Sequence, residues 1–368
     1  MRKLAVILMM SLIFAGLTVR AEGRQIVVRT AVTQWGQMPQ AFEVSGQALP
    51  GGVSAEDFTV TGEASGWGQT AVHPFEGAVE AVEATEDGWR LVPALLSDKY
   101  FYVKKLEVAC AAHPELSFTL EDVAETTTEV ADEFAPYEDP EHQLTASVYL
   151  PRADQPVPVV IVFHGYGDTA NLLTYRTAVA WAEPDSQAKR PCAVIAPSIP
   201  DAQYTSEFIR GKVFEGVLAW IDAQVRSGVV DPKRVYAMGN SFGGMSAFEL
   251  AEQHPDRVAA ILALCPALNY SVHGTQNLAT LTDIPVTICQ AEHDETIPVD
   301  VGRSAAQALT DAGNPNVVLR VYTDEEMNAA GASLGQQNTY SFHHVELAAM
   351  EGDEFEKNAD WLFGWVKE

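Results

Sequence analysis

The chain has 368 residues, which allows two domains of ordinary size. Apolar residues make up 47% and charged residues 20%, a globular composition and not a disordered one. With 50 acidic and 23 basic side chains the formal charge is −27. That balance supplies no basic face for a phosphate backbone or an anionic membrane, so no nucleic acid partner is expected. Four cysteines cannot form the dense framework of a small disulfide-stapled fold.

Arg2 and Lys3 precede an uncharged apolar run from Leu4 to Val19, and Val19-Arg20-Ala21 reads as a cleavage site. Residues 1–21 are therefore expected to be a secretory signal peptide. The 16-residue run is shorter than the ~20 residues that span a bilayer, so no stable membrane anchor is expected after processing. The expected location is extracellular or periplasmic. Loss of Arg2, Lys3 and Arg20 would leave the mature chain still more acidic.

From Ile26 to about Glu133 short alternating runs dominate, such as Gln25–Arg29, Phe58–Thr61 and Tyr100–Val103. Turns rich in Gly and Pro separate them, among them Pro50-Gly51-Gly52 and Gly66-Trp67-Gly68. This spacing predicts an all-β sandwich over residues 22–135. The acidic stretch Glu121–Pro140 reads as the boundary, and residues 136–368 as a second domain.

There the rhythm changes to apolar runs alternating with longer helical patterns. Strands are expected at Val157–Phe163, Ala193–Pro197, Val235–Met238, Ala259–Leu264, Val286–Cys289 and Val317–Val321. Such runs suit a mostly parallel sheet with helices on both faces. One helix aligns Phe214, Val217, Leu218, Ile221 and Val225; another, closing the chain, aligns Phe355, Ala359, Leu362 and Val366. Cys192, Cys265 and Cys289 fall in or beside central strands, where a free thiol behaves as a small hydrophobe. No two cysteines sit at metal-ligand spacing, so no metal site is expected.

Gly239-Asn240-Ser241-Phe242-Gly243 matches G-x-S-x-G and lies between a strand and a helical pattern. A serine on that sharp turn projects its hydroxyl above the sheet, and the glycines give the turn room. The hydroxyl needs a base, and the base needs an orienting carboxylate. Asp294 follows a later strand, as this order requires, and His343 and His344 are the only histidines beyond it. Either can be the base. The developing oxyanion needs donors, for which the backbone N–H groups of Phe242 and Tyr166 are the candidates. Asn240, beside the nucleophile, is expected to line part of the substrate pocket.

Gly165 to Ala170 also fits G-x-G-x-x-A, but the strand Ala193–Ser198 lacks the terminal acid a dinucleotide fold needs. The expected chemistry requires no cofactor.

The segments Pro158–Gly165, Asp231–Gly244, His254–Cys265 and the Asp294 loop together resemble the α/β-hydrolase superfamily. Within it they are similar to the secreted branch of polyhydroxybutyrate depolymerase-like, feruloyl and acetyl-xylan esterases and "predicted peptidases". The stretch around Thr33–Gly36 and Phe58–Val60 resembles the immunoglobulin-like domain that precedes some of these esterases. The resemblance implies an α/β-hydrolase fold behind a smaller sandwich, and a small-molecule or polymer-borne ester as substrate. Setting Ala349-Met350 against the small–aromatic pair that follows the base in this branch favours His343 over His344. Glu325–Tyr340 then stands as an inserted loop able to overhang the site. A peptidase of the same fold and a non-catalytic binding protein remain the alternatives. For the sandwich, the open roles are scaffolding, homo-oligomer formation, or substrate capture through Trp35 and Trp67.

Overall fold

The computed structural model describes residues 23–33, 36–65, 72–94, 102–167, 173, 176–200, 207–271, 274, 276–333 and 342–368. The expected leader, Trp35, Trp67, Tyr100-Phe101 and the Asp168–Ala170 part of the glycine-rich match lie outside them.

The first half of the fold follows from period-two burial. Strand β1 (Gln25–Thr33) turns Ile26, Val28, Thr30 and Val32 inward and their neighbours outward. It pairs with β2 (Gly36–Ser45). Next come β3 (Phe58–Ser65), β4 (Val72–Gly77), β5 (Val79–Ala84) and β6 (Gly88–Pro93). The series ends with β7 (Tyr102–Cys110), β8 (Phe118–Thr119) and β9 (Glu125–Thr128). They form one sheet in the order β5-β6-β2-β1-β9 and another in the order β4-β3-β7-β8. Ile26, Phe42, Trp89 and Leu91 of the first meet Phe58, Val60, Leu106, Val108 and Phe118 of the second in one core. Two sheets sharing a buried face make an all-β sandwich.

A third sheet holds β10 (Ala135–Asp139), β11 (Leu144–Tyr149), β12 (Val157–Phe163), β13 (Ala193–Ser198) and β14 (Val230–Asn240). It continues with β15 (Ala260–Leu264), β16 (Val286–Ala291) and β17 (Val317–Tyr322), in the order β10-β11-β13-β12-β14-β15-β16-β17. From β13 to β17 the pairing is parallel; β10 and β11 join antiparallel at one edge. The connecting helices are α1 (Arg176–Val179), α2 (Pro184–Lys189), α3 (Glu207–Arg226) and α4 (Phe242–Gln253). They are followed by α5 (Val299–Asp311), α6 (Asp324–Ser333), α7 (Glu346–Ala349) and α8 (Gly352–Phe363).

The central strands are buried on both faces, which is why they read as unbroken apolar runs. Val159, Ile161 and Phe163 face α3, α4 and α5, whereas Val160 and Val162 face Trp181 and α8. Val32, Val130 and Phe134 belong to that second cluster, together with Ala178 and Val179 of α1. The sandwich is thus joined to the core of the parallel sheet by apolar packing.

Three expectations change. The sequence pattern did not single out β10 and β11. Val366 does not lie on the last helix: α8 stops at Phe363, Gly364 follows, and Val366 is exposed. Glu325–Tyr340 is not all loop, because α6 runs to Ser333 with Met327 buried; residues 334–341 lie outside the described ones.

The turn carrying Ser241 depends on close backbone approach. A Cβ on Gly243 would fall 2.0 Å from the Phe163 carbonyl oxygen, and one on Gly239 2.4 Å from the same atom. A Cβ on Gly244 would meet Pro266 at 2.9 Å. Backbone atoms cannot swing away as a side-chain tip can, so these glycines let α4 lie directly on the ends of β12 and β15.

Two outcomes follow from this packing. Gly243→Ala should lower unfolding free energy by ~2 kcal/mol or more in urea titration; an unchanged midpoint would mean that α4 shifts without cost. Residues 136–368 expressed alone should be less stable or aggregate, since Val32, Val130 and Phe134 each bury about 1.5–3 kcal/mol of apolar surface. A fragment as soluble and heat-resistant as the full chain would show that this contact is dispensable.

Candidate active site

Parallel strands deliver all their carboxyl ends to one edge of the sheet, and loops leaving that edge converge there. Ser241 follows β14 immediately and caps α4, with φ 55° and ψ −119°. A side chain in the left-handed region costs about 1–3 kcal/mol, so its surroundings must hold it. They do so by backbone hydrogen bonds. Ser241 N–H donates to the Leu264 carbonyl at 2.8 Å, and its own carbonyl accepts from Met245 at 3.1 Å and Ala267 at 2.9 Å.

Asp294 leaves the end of β16 with its carboxylate fully buried. Oδ1 accepts the N–H groups of Thr296 and Ile297, both at 2.8 Å. Oδ2 accepts from Gln290 Nε2 at 3.2 Å. His343 then spans the gap. Its Nδ1 lies 2.8 Å from Asp294 Oδ2, and its Nε2 lies 2.9 Å from Ser241 Oγ. With the proton on Nδ1 donated to Asp294, Nε2 is left to accept the serine hydroxyl. His344 turns away, its Nδ1 2.9 Å from Glu346 Oε1. The geometry therefore separates the two adjacent histidines.

Cys265, at the end of β15 with φ 38°, packs behind this chain of bonds. Its thiol donates to the His343 carbonyl at 3.2 Å and so tethers the loop bearing the imidazole. Ligand atoms of Cys265, Asp294 and His343 all lie within 4.8 Å of one another. Burial pushes the Cys265 thiol well above its ordinary value, and the charges of Glu346 and Asp294 push the same way. Cys265 and Cys289 are hydrogen-bonded neighbours through their backbones, yet both are free thiols, as are Cys110 and Cys192.

Phe242 opens α4, so its N–H belongs to the helix end where the dipole is positive. Tyr166 lies in the turn after β12, and its ring centroid is 5.7 Å from that of Phe242. Buried His164 fixes the start of this turn. Its Nδ1 donates to the Gly165 carbonyl at 2.7 Å, and its Nε2 accepts the Ile199 N–H at 2.9 Å. Both oxyanion candidates thus come to the same end of the sheet as Ser241. Asn240 is partly buried, the last residue of β14, and pairs with Leu264.

Sequence reasoning missed Gln290, Cys265 as a tether, and Tyr270. A fully buried glutamine inside the apolar strand Val286–Ala291, four residues before Asp294, was the available signal. Tyr270 gave no such sign. Its ring lies 5.4 Å from Phe242, and with Tyr166 it forms an exposed aromatic rim, 59% and 52% accessible.

Comparison with known proteins agrees with this architecture. The family model described as phospholipase/carboxylesterase matches residues 199–340, a span that contains Ser241 and Asp294 and ends before His343. "Putative esterase NocK" of Nocardia uniformis subsp. tsuyamanensis is 30% identical over 204 residues, covering 52% of this chain and 55% of its own. The chain thus spans about half the length of that curated relative. The crystal structure of a thermostable esterase superposes with a TM-score of 0.71 at 19% identity, over 93% of this chain and 99% of that one. Its match runs through the sandwich as well as the parallel sheet, and at that identity it speaks for the fold. From the sheet order, the Ser241 turn and these likenesses together, the chain is in fold an α/β-hydrolase with an all-β domain ahead of it.

Proposed function

We propose that this protein is an exported serine hydrolase of carboxylic esters, with Ser241 as nucleophile, His343 as base and Asp294 as the acid that orients it. The observation that carries the proposal is the continuous set of bonds from Asp294 through His343 to Ser241 Oγ, at 2.8 and 2.9 Å. It sits where the strand-to-helix turn holds Ser241 in a strained conformation.

Ser241 Oγ attacks the ester carbonyl while His343 Nε2 takes its proton. Asp294 keeps the proton of Nδ1 in place and stabilises the imidazolium that forms. Charge developing on the carbonyl oxygen is met by the N–H groups of Phe242 and Tyr166. His343 then gives its proton to the departing alcohol, leaving an acyl-enzyme. Water, activated by the same imidazole, releases the acid. The site needs no cofactor for this sequence. Its rim of Tyr166, Phe242 and Tyr270 offers apolar contact to a substrate that is a small ester or an ester borne on a polymer.

A fluorophosphonate probe should label the wild type and leave Ser241→Ala unlabelled. On p-nitrophenyl esters, His343→Ala should lose ~10³-fold or more in kcat, whereas His344→Ala keeps most of its activity. The opposite pattern would move the base by one residue. Efficient cleavage of peptide amides with no preference for esters would replace the ester assignment by a peptidase, and an unlabelled, folded wild type would leave a binding protein.

Export rests on the charged start and apolar run of residues 1–21. Among the described residues no helix is long and apolar enough to cross a membrane. The mass of the protein recovered from its native host should place the first residue at Glu22. Retention of residues 1–21 would overturn the export proposal.

A further inference from the structure

A cavity lies at the edge of the parallel sheet opposite Ser241. Arg152, Asp154 and Pro158 line it from the loop before β12 and from that strand, Lys189 and Arg190 from the end of α2, and Arg234 from β14. Phe363 of α8 closes one side. Its volume is about 810 Å³, within the range of small-molecule sites. Arg234 precedes Ser241 by seven residues on β14, so the two sites are separated by about 23 Å of strand.

The charge is unusual for this chain. Acids outnumber bases by more than two to one overall, yet the cavity lining holds four cations and one carboxylate, Asp154. Two of the cations are already neutralised. Glu356 of α8 accepts from Lys189 at 2.9 Å and Arg190 at 2.7 Å, and Asp360 accepts from Arg190 at 2.5 Å. The Arg190 side chain is only 10% exposed, and these bonds occupy its two terminal nitrogens. Its Nε, also buried, has no acceptor.

The other two cations are not neutralised. Among the described residues neither Arg152 nor Arg234 has a carboxylate within ion-pair distance. Arg234 makes only long contacts, 3.4 Å to the Tyr236 hydroxyl and 3.5 Å to the Phe363 carbonyl. Planar guanidinium forks suit bidentate oxyanions, and Phe363, Pro156 and Pro158 add apolar wall for a carbon skeleton.

We infer that this cavity is a binding site for an organic oxyanion, a carboxylate or phosphate carried on a sugar-sized body. The Arg152 and Arg234 guanidiniums receive the oxyanion, and α8 holds Arg190 beside them through Glu356 and Asp360. A lone inorganic ion would leave most of the volume unfilled.

The test is calorimetric titration of the full chain with trigalacturonate, glucose 6-phosphate and neutral maltotriose, at low salt and then with salt added. Sub-millimolar binding of either anion, absent for maltotriose and weakened by salt, is the expected result. Binding of trigalacturonate alone identifies a carboxylate ligand, and of the sugar phosphate alone a phosphate ligand. The double variant Arg152→Gln/Arg234→Gln, which leaves the Arg190 ion pairs to α8 intact, should weaken binding about tenfold or more while ester hydrolysis is unchanged. No preference for the anions over maltotriose, or binding that survives the double variant, overturns the site.

Discussion

The contact between the backbone of α4 and the end of β12 is the constraint on which the site depends. Gly243 has no room for a Cβ because the Phe163 carbonyl occupies that space, and this approach forces the chain at Ser241 into the left-handed region. A serine there can point its hydroxyl away from the sheet while its backbone stays tied to Leu264, Met245 and Ala267. The strain is thus distributed over three hydrogen bonds and two strands. The same geometry puts the N–H of Phe242 next to Ser241, since the residue after a sharp strand-to-helix turn is the first of the helix.

The other two members of the chain of bonds are held less by strain than by burial. Asp294 is out of water and still accepts four N–H groups, from Thr296, Ile297, Gln290 and His343, so the buried carboxylate is satisfied. His343 comes from a loop, where position is normally loose. Here Cys265 grips its carbonyl, and Val345, two residues on, is fully buried in the core cluster that also contains Met350 and Phe355. Placement of the imidazole therefore depends on a neutral thiol, and the absence of solvent around Cys265 keeps it neutral.

Much of this was legible in the sequence because the parallel sheet is buried on both faces. Val157–Phe163 and Val286–Cys289 read as strands from apolar runs alone, and the strand ends then located Ser241 and Asp294. What stayed open needed long-range contacts. Two adjacent histidines cannot be told apart by spacing; Asp294, 49 residues away, and Glu346, two residues from His344, separate them. β10 carries Pro136, Glu138 and Asp139, and its exposed edge position left no apolar run to see. The Gly- and Ala-rich stretch forming α6 looked like a loop because its helix is fixed by local bonds and little burial. Glu326 receives the Thr323 N–H at 2.9 Å and pairs with Arg320, which holds its carboxyl down to about 2. Neither pairing has a periodicity.

The all-β domain is tied to this architecture by more than its place in the chain. Val32, next to the end of β1, enters the same cluster as Trp181, Val160 and Phe355, and Val130 and Phe134 join it from the connecting segment. That cluster lies on the face of the sheet from which α8 and the His343 loop are held. Apolar packing transmits displacement because close-packed side chains have few voids to absorb it. The helix that β1 meets on this side is α1, whose Ala178 and Val179 lie in the same cluster. Phe355 touches Trp181 edge-on at 5.1 Å, and α8 in turn packs against α7, which follows the His343 loop directly. The sandwich contributes no side chain to the Ser241–His343–Asp294 chain of bonds. What it adds is apolar contact: Val32, Val130 and Phe134 share a buried cluster with Ala178 and Val179 of α1 and with Trp181, on the face of the sheet opposite α3, α4 and α5.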